Sequence, residues 1–172
     1  MIKRWILQHS WLSRLFALAG YIRMESVLSA RVFRVDGRVE KLGVIARKVV
    51  TTVGVNSLCD AFQGAFTLSN FKYHISGTDT AAEDVSDVET TITGSTPSPV
   101  TGSQTEGGSA NIYETVGTVA YTSSLAITSH GLIDSATKSG SVLWDRSVFS
   151  AINVVNGDSI EFTYDLTCTA GG

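Results

Sequence analysis

The C-terminal stretch from Ser141 to Thr169 leaves little choice of secondary structure. Ile160, Phe162, Tyr164, Leu166 and Cys168 alternate with Ser159, Glu161, Thr163, Asp165 and Thr167. A strand turns this period of two into one buried and one wet face, and no helix can use it. Upstream, Val148, Ala151, Ile152, Val154 and Val155 favour strand, and Asn156-Gly157-Asp158 tolerates the positive φ of a hairpin turn. Ser141–Thr169 is therefore expected to form a terminal β-hairpin that supplies the core through Val148, Ile152, Ile160, Phe162, Tyr164 and Leu166. Trp144 is assigned either to that core or to a subunit contact.

The rest of the chain extends the pattern. Val27 to Val35 and Arg38 to Val50 flank Asp36-Gly37, a strong short-range hairpin signal. Thr52 to Gly64 predicts a short helix, with Thr52 as the cap, Val55, Leu58, Cys59 and Phe62 on the packed face, and Gly64 as terminator. Asn70–Ser76 predicts a strand with Phe71, Tyr73 and Ile75 on one side. Residues 77–111, rich in Gly, Ser, Thr, Asp and Glu, predict a polar loop excursion with one embedded edge strand around Val88 to Ile92. Strand character resumes over 111–118, 119–128 and 129–133, and Ser135 to Gly140 is a turn. Two prolines and a heavy loading of hydroxyl and β-branched residues agree. The expected fold is all-β, a mainly antiparallel β-sandwich or jelly-roll-like body over 27–172, with one short helix.

Before that body, residues 1–26 read as a basic amphipathic arm. Ile2, Trp5, Leu12, Leu15, Phe16, Ala19 and Ile22 fall on one helical face, and Gln8, His9, Ser10 and Arg14 interrupt the apolar run that a signal peptide or membrane span would need. Met24 is an alternative start. Charge divides the chain in the same way. Residues 1–50 hold ten Lys and Arg against three acidic residues, a net +7, and the remainder holds three against thirteen, a net −10. Such a split suits docking of the basic part on an acidic protein surface. The candidate docking residues are Trp5, Leu12, Leu15, Arg31, Arg34, Arg38, Arg47 and Lys48. Nucleic-acid tracking is disfavoured, because the acidic body opposes it and Phe33 is the one stacking aromatic among these basic strands.

Residues that could carry chemistry are scattered. Ser129 and His130 are adjacent, but neighbours on a strand face opposite ways and a triad needs spatial convergence, so His130 is expected to be a satisfied structural histidine. Glu83, Asp84, Asp87 and Glu89 could supply a carboxylate pair for glycoside hydrolysis, but they sit in the most polar, loop-like part of the chain and read as a solvated acidic loop, and Asp79, Glu83 and Asp87 lack the spacing of a calcium loop. Cys59 and Cys168 lack any ligand pattern and read as two buried, unpaired thiols. No enzyme, cofactor or metal site is expected.

Three runs resemble a family of small virion proteins of tailed bacteriophages: GVIARKVVTTVGVNSLCDAFQG from Gly43, NFKYHISGTDTAAEDVSDVETTI from Asn70, and SANIYETVGTVAYTSSLAITSHGLIDSATKSGSVLWDRSVFSAINVVNGDSIEFTYDLT from Ser109. The segment LWDRSVFSAINVVNGDSIEFTYDLT is the most specific part, and the segment before Met24 departs from the compact form of the family. The resemblance implies a capsid cement or decoration protein, a β-rich module that clamps neighbouring capsomers from outside and self-associates as a homotrimer. It implies the major capsid protein as partner, no nucleic acid or membrane, and a place on the virion surface after assembly in the host cytoplasm. It carries no catalytic residues. A tail-fibre, collar or baseplate module binding host glycans through 77–111, or binding other virion proteins, is the alternative.

Overall fold

The computed structural model describes residues 21–47, 49–94 and 97–171. Within them the chain forms β1 (Tyr21–Phe33), β2 (Val39–Ala46), β3 (Val49–Val50), helix α1 (Thr52–Phe62), β4 (Tyr73–Gly77), β5 (Val100–Thr101), β6 (Ser103–Glu106), β7 (Ile112–Ala120), β8 (Leu125–Ile133), β9 (Leu143–Val154) and β10 (Ser159–Gly171). Two antiparallel five-stranded sheets result, in the orders β2-β1-β10-β7-β6 and β3-β9-β8-β4-β5. Among the described residues the fold is all-β with one short helix, as the residue pattern predicts.

The alternating strand β10 is central to the first sheet. It pairs with β1 from Tyr21↔Gly171 to Phe33↔Ser159 and with β7 on its other side. Ile160, Phe162 and Tyr164 are fully buried, and they meet Leu28 and Val32 of β1 and Ile127, Leu132, Trp144, Ile152 and Val154 of the second sheet in one core. Both predicted hairpin turns form, with Gly37 and Gly157 at φ 87° and 94°. Asp158 joins the two turns: its carboxylate accepts from the amides of Val35 (2.9 Å) and Val155 (3.1 Å) and from Arg34 Nη1 (2.9 Å). The backbone bond from Val35 first, and then Arg34, hold this carboxyl below its ordinary range.

Between β8 and β9 the register slips, with Leu132 opposite Asp145 but Ile133 opposite Leu143. Trp144 is the extra residue of this bulge, which lets both Trp144 and Asp145 reach the core. Trp144 is therefore a core residue, donating its indole N–H to Tyr164 Oη at 2.9 Å. A second irregularity lies between Ile127↔Ile152 and Ser129↔Val148, and Val148 is only half-buried there.

Several expectations need correction. Strand β1 begins at Tyr21, not Val27, because its pairing with β10 runs on to Gly171; Ile22 is thus an exposed strand residue and not part of a helical face. Thr51, not Thr52, caps α1: its hydroxyl accepts from Gly54 N and donates to Leu143 O. The helix packs through Gly54 and Ser57, while Val55, Cys59 and Phe62 face outward. A Cβ on Gly54 would lie 2.7 Å from the carbonyl oxygen of Trp144, so only the glycine face can approach β9 so closely. Phe71 precedes β4, which is buried on both faces. Residues 89–91 form a 3₁₀ turn, and the edge strands of the polar excursion are β5 and β6. Residues 112–120 are one strand, and 125–133 are a single strand that includes His130.

Candidate functional site

Of the residues expected to dock, Trp5, Leu12, Leu15 and Lys48 lie outside the described residues. The structure places Arg31, Arg34 and Arg38 at one end of the β1–β2 hairpin, where each already holds a carboxylate of its own chain. Arg31 grips Glu161, its cross-strand partner, through Nε (2.5 Å) and Nη2 (3.0 Å). Arg34 bonds Glu40 (2.7 Å) and Asp158 (2.9 Å), which push its pKa well up, and Arg38 bonds Asp36 (2.7 Å). The positive charge of this hairpin is largely neutralised, which sequence counting could not foresee because Glu161 and Asp158 are more than a hundred residues away. Arg47 is exposed.

The acidic loop is not simply solvated. Arg146 on β9 is wholly buried and donates to Asp79 (Nη2, 2.5 Å), Asp87 (Nη1, 2.8 Å) and the carbonyls of Ala81 and Ala82. A buried guanidinium must be paired, and this loop supplies both acids. Burial alone would raise the Asp79 carboxyl, but bonds from Ser129, Arg146 and the Thr93 amide outweigh it and hold it low. Ile92, Ile133, Leu143 and Ile75 form a small second core beneath the same loop. The signal in sequence was Arg146 itself, a basic residue in an otherwise acidic half.

Two polar groups sit inside the sandwich. Asp145 accepts from Ser26 Oγ (2.8 Å), Ser147 Oγ (3.2 Å) and Tyr164 Oη (3.3 Å). Burial pushes its carboxyl up to about 7 despite these bonds. His74 and His130 are also buried; Nδ1 of His74 lies 3.0 Å from Nε2 of His130, and Nε2 of His74 lies 3.1 Å from Thr115 Oγ1. Desolvation lowers His74 to about 3 and His130 well below its ordinary value. His130 Nδ1 has no hydrogen-bond partner, so the histidine expected to be satisfied is bonded through Nε2 alone. Ser129 bonds Asp79 on the opposite face (2.5 Å), as strand alternation requires. No substrate could reach His74, His130 or Asp145 without opening the core.

Open surfaces lie elsewhere. β2 is the edge of its sheet and exposes Val39, Leu42 and Val44. Beside it, β3 covers only Asp145 and Arg146 of β9, so the neighbouring Phe149–Asn153 stretch borders a groove of about 520 Å³ with Leu42, Val44, Arg34 and Glu40. At one end of the sandwich, Met24, Leu58, Leu68, Phe71, Leu166 and Cys168 ring an apolar cavity of about 380 Å³ that reaches Leu132 and Trp144. Cys59 is exposed and Cys168 half-buried, and neither is in a disulfide, which corrects the expectation that both are buried.

Among the described residues no three His, Cys, Asp or Glu side chains are placed to hold a metal ion, and no helix is long and apolar enough to cross a membrane. No family model, curated protein or solved structure matches the chain.

Proposed function

We propose that the chain is a structural virion protein, a capsid cement or decoration protein that binds the outside of the major capsid shell and itself associates as a trimer. The observation that carries this reading is the edge strand β2, which leaves Val39, Leu42 and Val44 in solvent beside a stretch of β9 that β3 does not cover. An edge that is both apolar and unpaired is a template for strand addition or for packing against another chain, and free proteins ordinarily protect such edges. The resemblance of the body to small phage virion proteins supplies the kind of partner. The complete burial of His74, His130 and Asp145 agrees with a structural role, since the groups a hydrolase would use are spent inside the core.

Attachment then rests on the β2 edge and the groove next to it more than on Arg31, Arg34 and Arg38, whose charges are held within the chain. Many weak copies on a repetitive shell bind firmly together. The test is co-sedimentation of the purified chain with capsid shells from which it has been stripped, using the wild type and Val44→Asp. Wild-type protein should restore stoichiometric occupancy on the shell and Val44→Asp should not. Density confined to the tail, or equal shell binding by both proteins, overturns the proposal.

A further inference from the structure

The turn between β9 and β10 carries Asn156-Gly157, the one place in the sequence where an asparagine precedes a glycine. The side-chain amide of an asparagine is open to attack by the amide nitrogen of the next residue, and a glycine there, having no Cβ, leaves the approach unhindered. Both residues are exposed. A spontaneous modification site thus stands at the tip of the hairpin whose second strand, β10, is central to its sheet.

The reaction has two steps. Base removes the Gly157 amide proton, the nitrogen bonds to Cγ of Asn156, and the Cγ–Nδ2 bond breaks to release ammonia. Water then opens the cyclic imide, at the side-chain carbonyl to give aspartate or at the main-chain carbonyl to give isoaspartate. Water enters, ammonia leaves and nothing is oxidised.

The fold opposes the first step. The Gly157 amide donates to the Tyr121 carbonyl at 2.9 Å, and the Tyr121 amide returns a bond of 2.9 Å to the Asp158 carbonyl. The turn is also closed on itself, by the Asp158 amide on the Val155 carbonyl (3.0 Å) and the Val155 amide on the Asp158 carboxylate (3.1 Å). Gly157 lies against the other hairpin turn, where a Cβ would stand 2.9 Å from Val35 Cγ2. An amide proton held by a carbonyl is withheld from base, for the reason that it is also slow to exchange with solvent.

We infer that Asn156 is a deamidation site held shut by the turn around it, and that isoaspartate, once formed, keeps the turn open. The isoaspartyl linkage adds a backbone carbon between Val155 and Gly157, so the Val155–Asp158 closure and the Gly157–Tyr121 bond cannot both survive. Asp158 then loses its hold on the Val35 amide and on Arg34, each at 2.9 Å, and the β1–β2 turn is released with it. This does not rest on the capsid reading and its test uses no shell, so either can fail alone.

The full wild-type chain, folded and in urea, is held in mildly alkaline buffer, and Asn156 is followed by peptide mapping with electron-transfer fragmentation to separate isoaspartate from aspartate. The folded chain should deamidate there at least about tenfold more slowly, as expected of a turn closed about ten times as often as it is open. Folded Asp158→Ala keeps the Asn-Gly pair but lacks the carboxylate, and it should deamidate severalfold faster than folded wild type, with Gly157 hydrogen exchange rising by the same factor. The purified isoaspartyl protein should exchange its Val35 amide faster than the unmodified chain. Equal rates in folded and unfolded wild type overturn the inference, a comparison that needs no variant to fold. So does faster Gly157 exchange in Asp158→Ala without faster deamidation, or an isoaspartyl protein whose Val35 exchange is unchanged.

Discussion

His74 and His130 meet ring to ring inside the sandwich, Nδ1 of one 3.0 Å from Nε2 of the other, on the paired strands β4 and β8. Their placement depends on two glycines: a Cβ on Gly102 would come within 2.6 Å of His74 Nε2, and one on Gly117 within 2.5 Å of its Cδ2. The imidazole fills the space left by two missing side chains, Gly117 on β7 and Gly102 between β5 and β6. The pair is a packing device made of titratable parts, and that makes it sensitive to acid.

Both histidines stay neutral in the fold, His74 to about pH 3, whereas an unfolded histidine titrates near 6.5. The unfolded chain therefore binds more protons between these values, and stability falls as pH drops from about 6.5 towards 3. Urea unfolding of His74→Leu/His130→Phe should show a shallower loss of stability than wild type across this window. An identical slope would mean that the pair is not the acid-sensitive element.

Asp145 works in the opposite sense. Its folded pKa of about 7 lies above the ordinary 3.8, so its favourable contribution is present below pH 3.8 and is lost as pH rises through 7. Asp145→Asn should match wild type near pH 4 and exceed it at pH 8. The upper bound is roughly 4 kcal/mol, at 1.36 kcal/mol per pH unit. Between about pH 4 and 6.5 two histidines oppose one carboxyl, so wild-type stability should still rise with pH, at roughly half the slope the histidines alone would give. Chemical denaturation at three pH values checks both statements.

Arg146→Met removes the cation that Asp79 and Asp87 share at 2.5 and 2.8 Å. Two nearly buried carboxylates then remain without a counter-charge, a loss on the order of 3–5 kcal/mol. Hydrogen exchange should rise first at Thr78–Gly94, which this ion pair fastens to β9. Unchanged exchange there would show that Ile92 and its small apolar cluster hold the loop alone.

Gly117→Ala pushes a methyl into the His74 ring, and with β10 and β6 on either side of β7 the backbone has little room to yield. Overpacking of this kind costs about 1–3 kcal/mol. A drop in Tm of several degrees is expected, and Gly108→Ala, which meets nothing within 4 Å, serves as the control. Equal melting of the two variants would refute the packing account.

The residue pattern alone determined the class of fold and much of its core. Ile160, Phe162, Tyr164 and Leu166 had to share one buried face because strand alternation is a local property, and the turns at Asp36-Gly37 and Asn156-Gly157-Asp158 had to form because few residues accept positive φ. What needed the tertiary structure was every relation between distant strands. The Trp144 bulge turned two consecutive residues inward, and Arg146 gathered Asp79 and Asp87 out of a loop that composition marks as solvated. The helix offered its glycine and serine face to β9 instead of its valine and phenylalanine face, since only the small side chains permit contact at the Trp144 backbone. The basic hairpin found two of its carboxylates, Glu161 and Asp158, more than a hundred residues away. Local periodicity fixes which face of a strand is apolar, but charge pairing and close approach are set by which strands become neighbours, and that is a property of the assembled sheets.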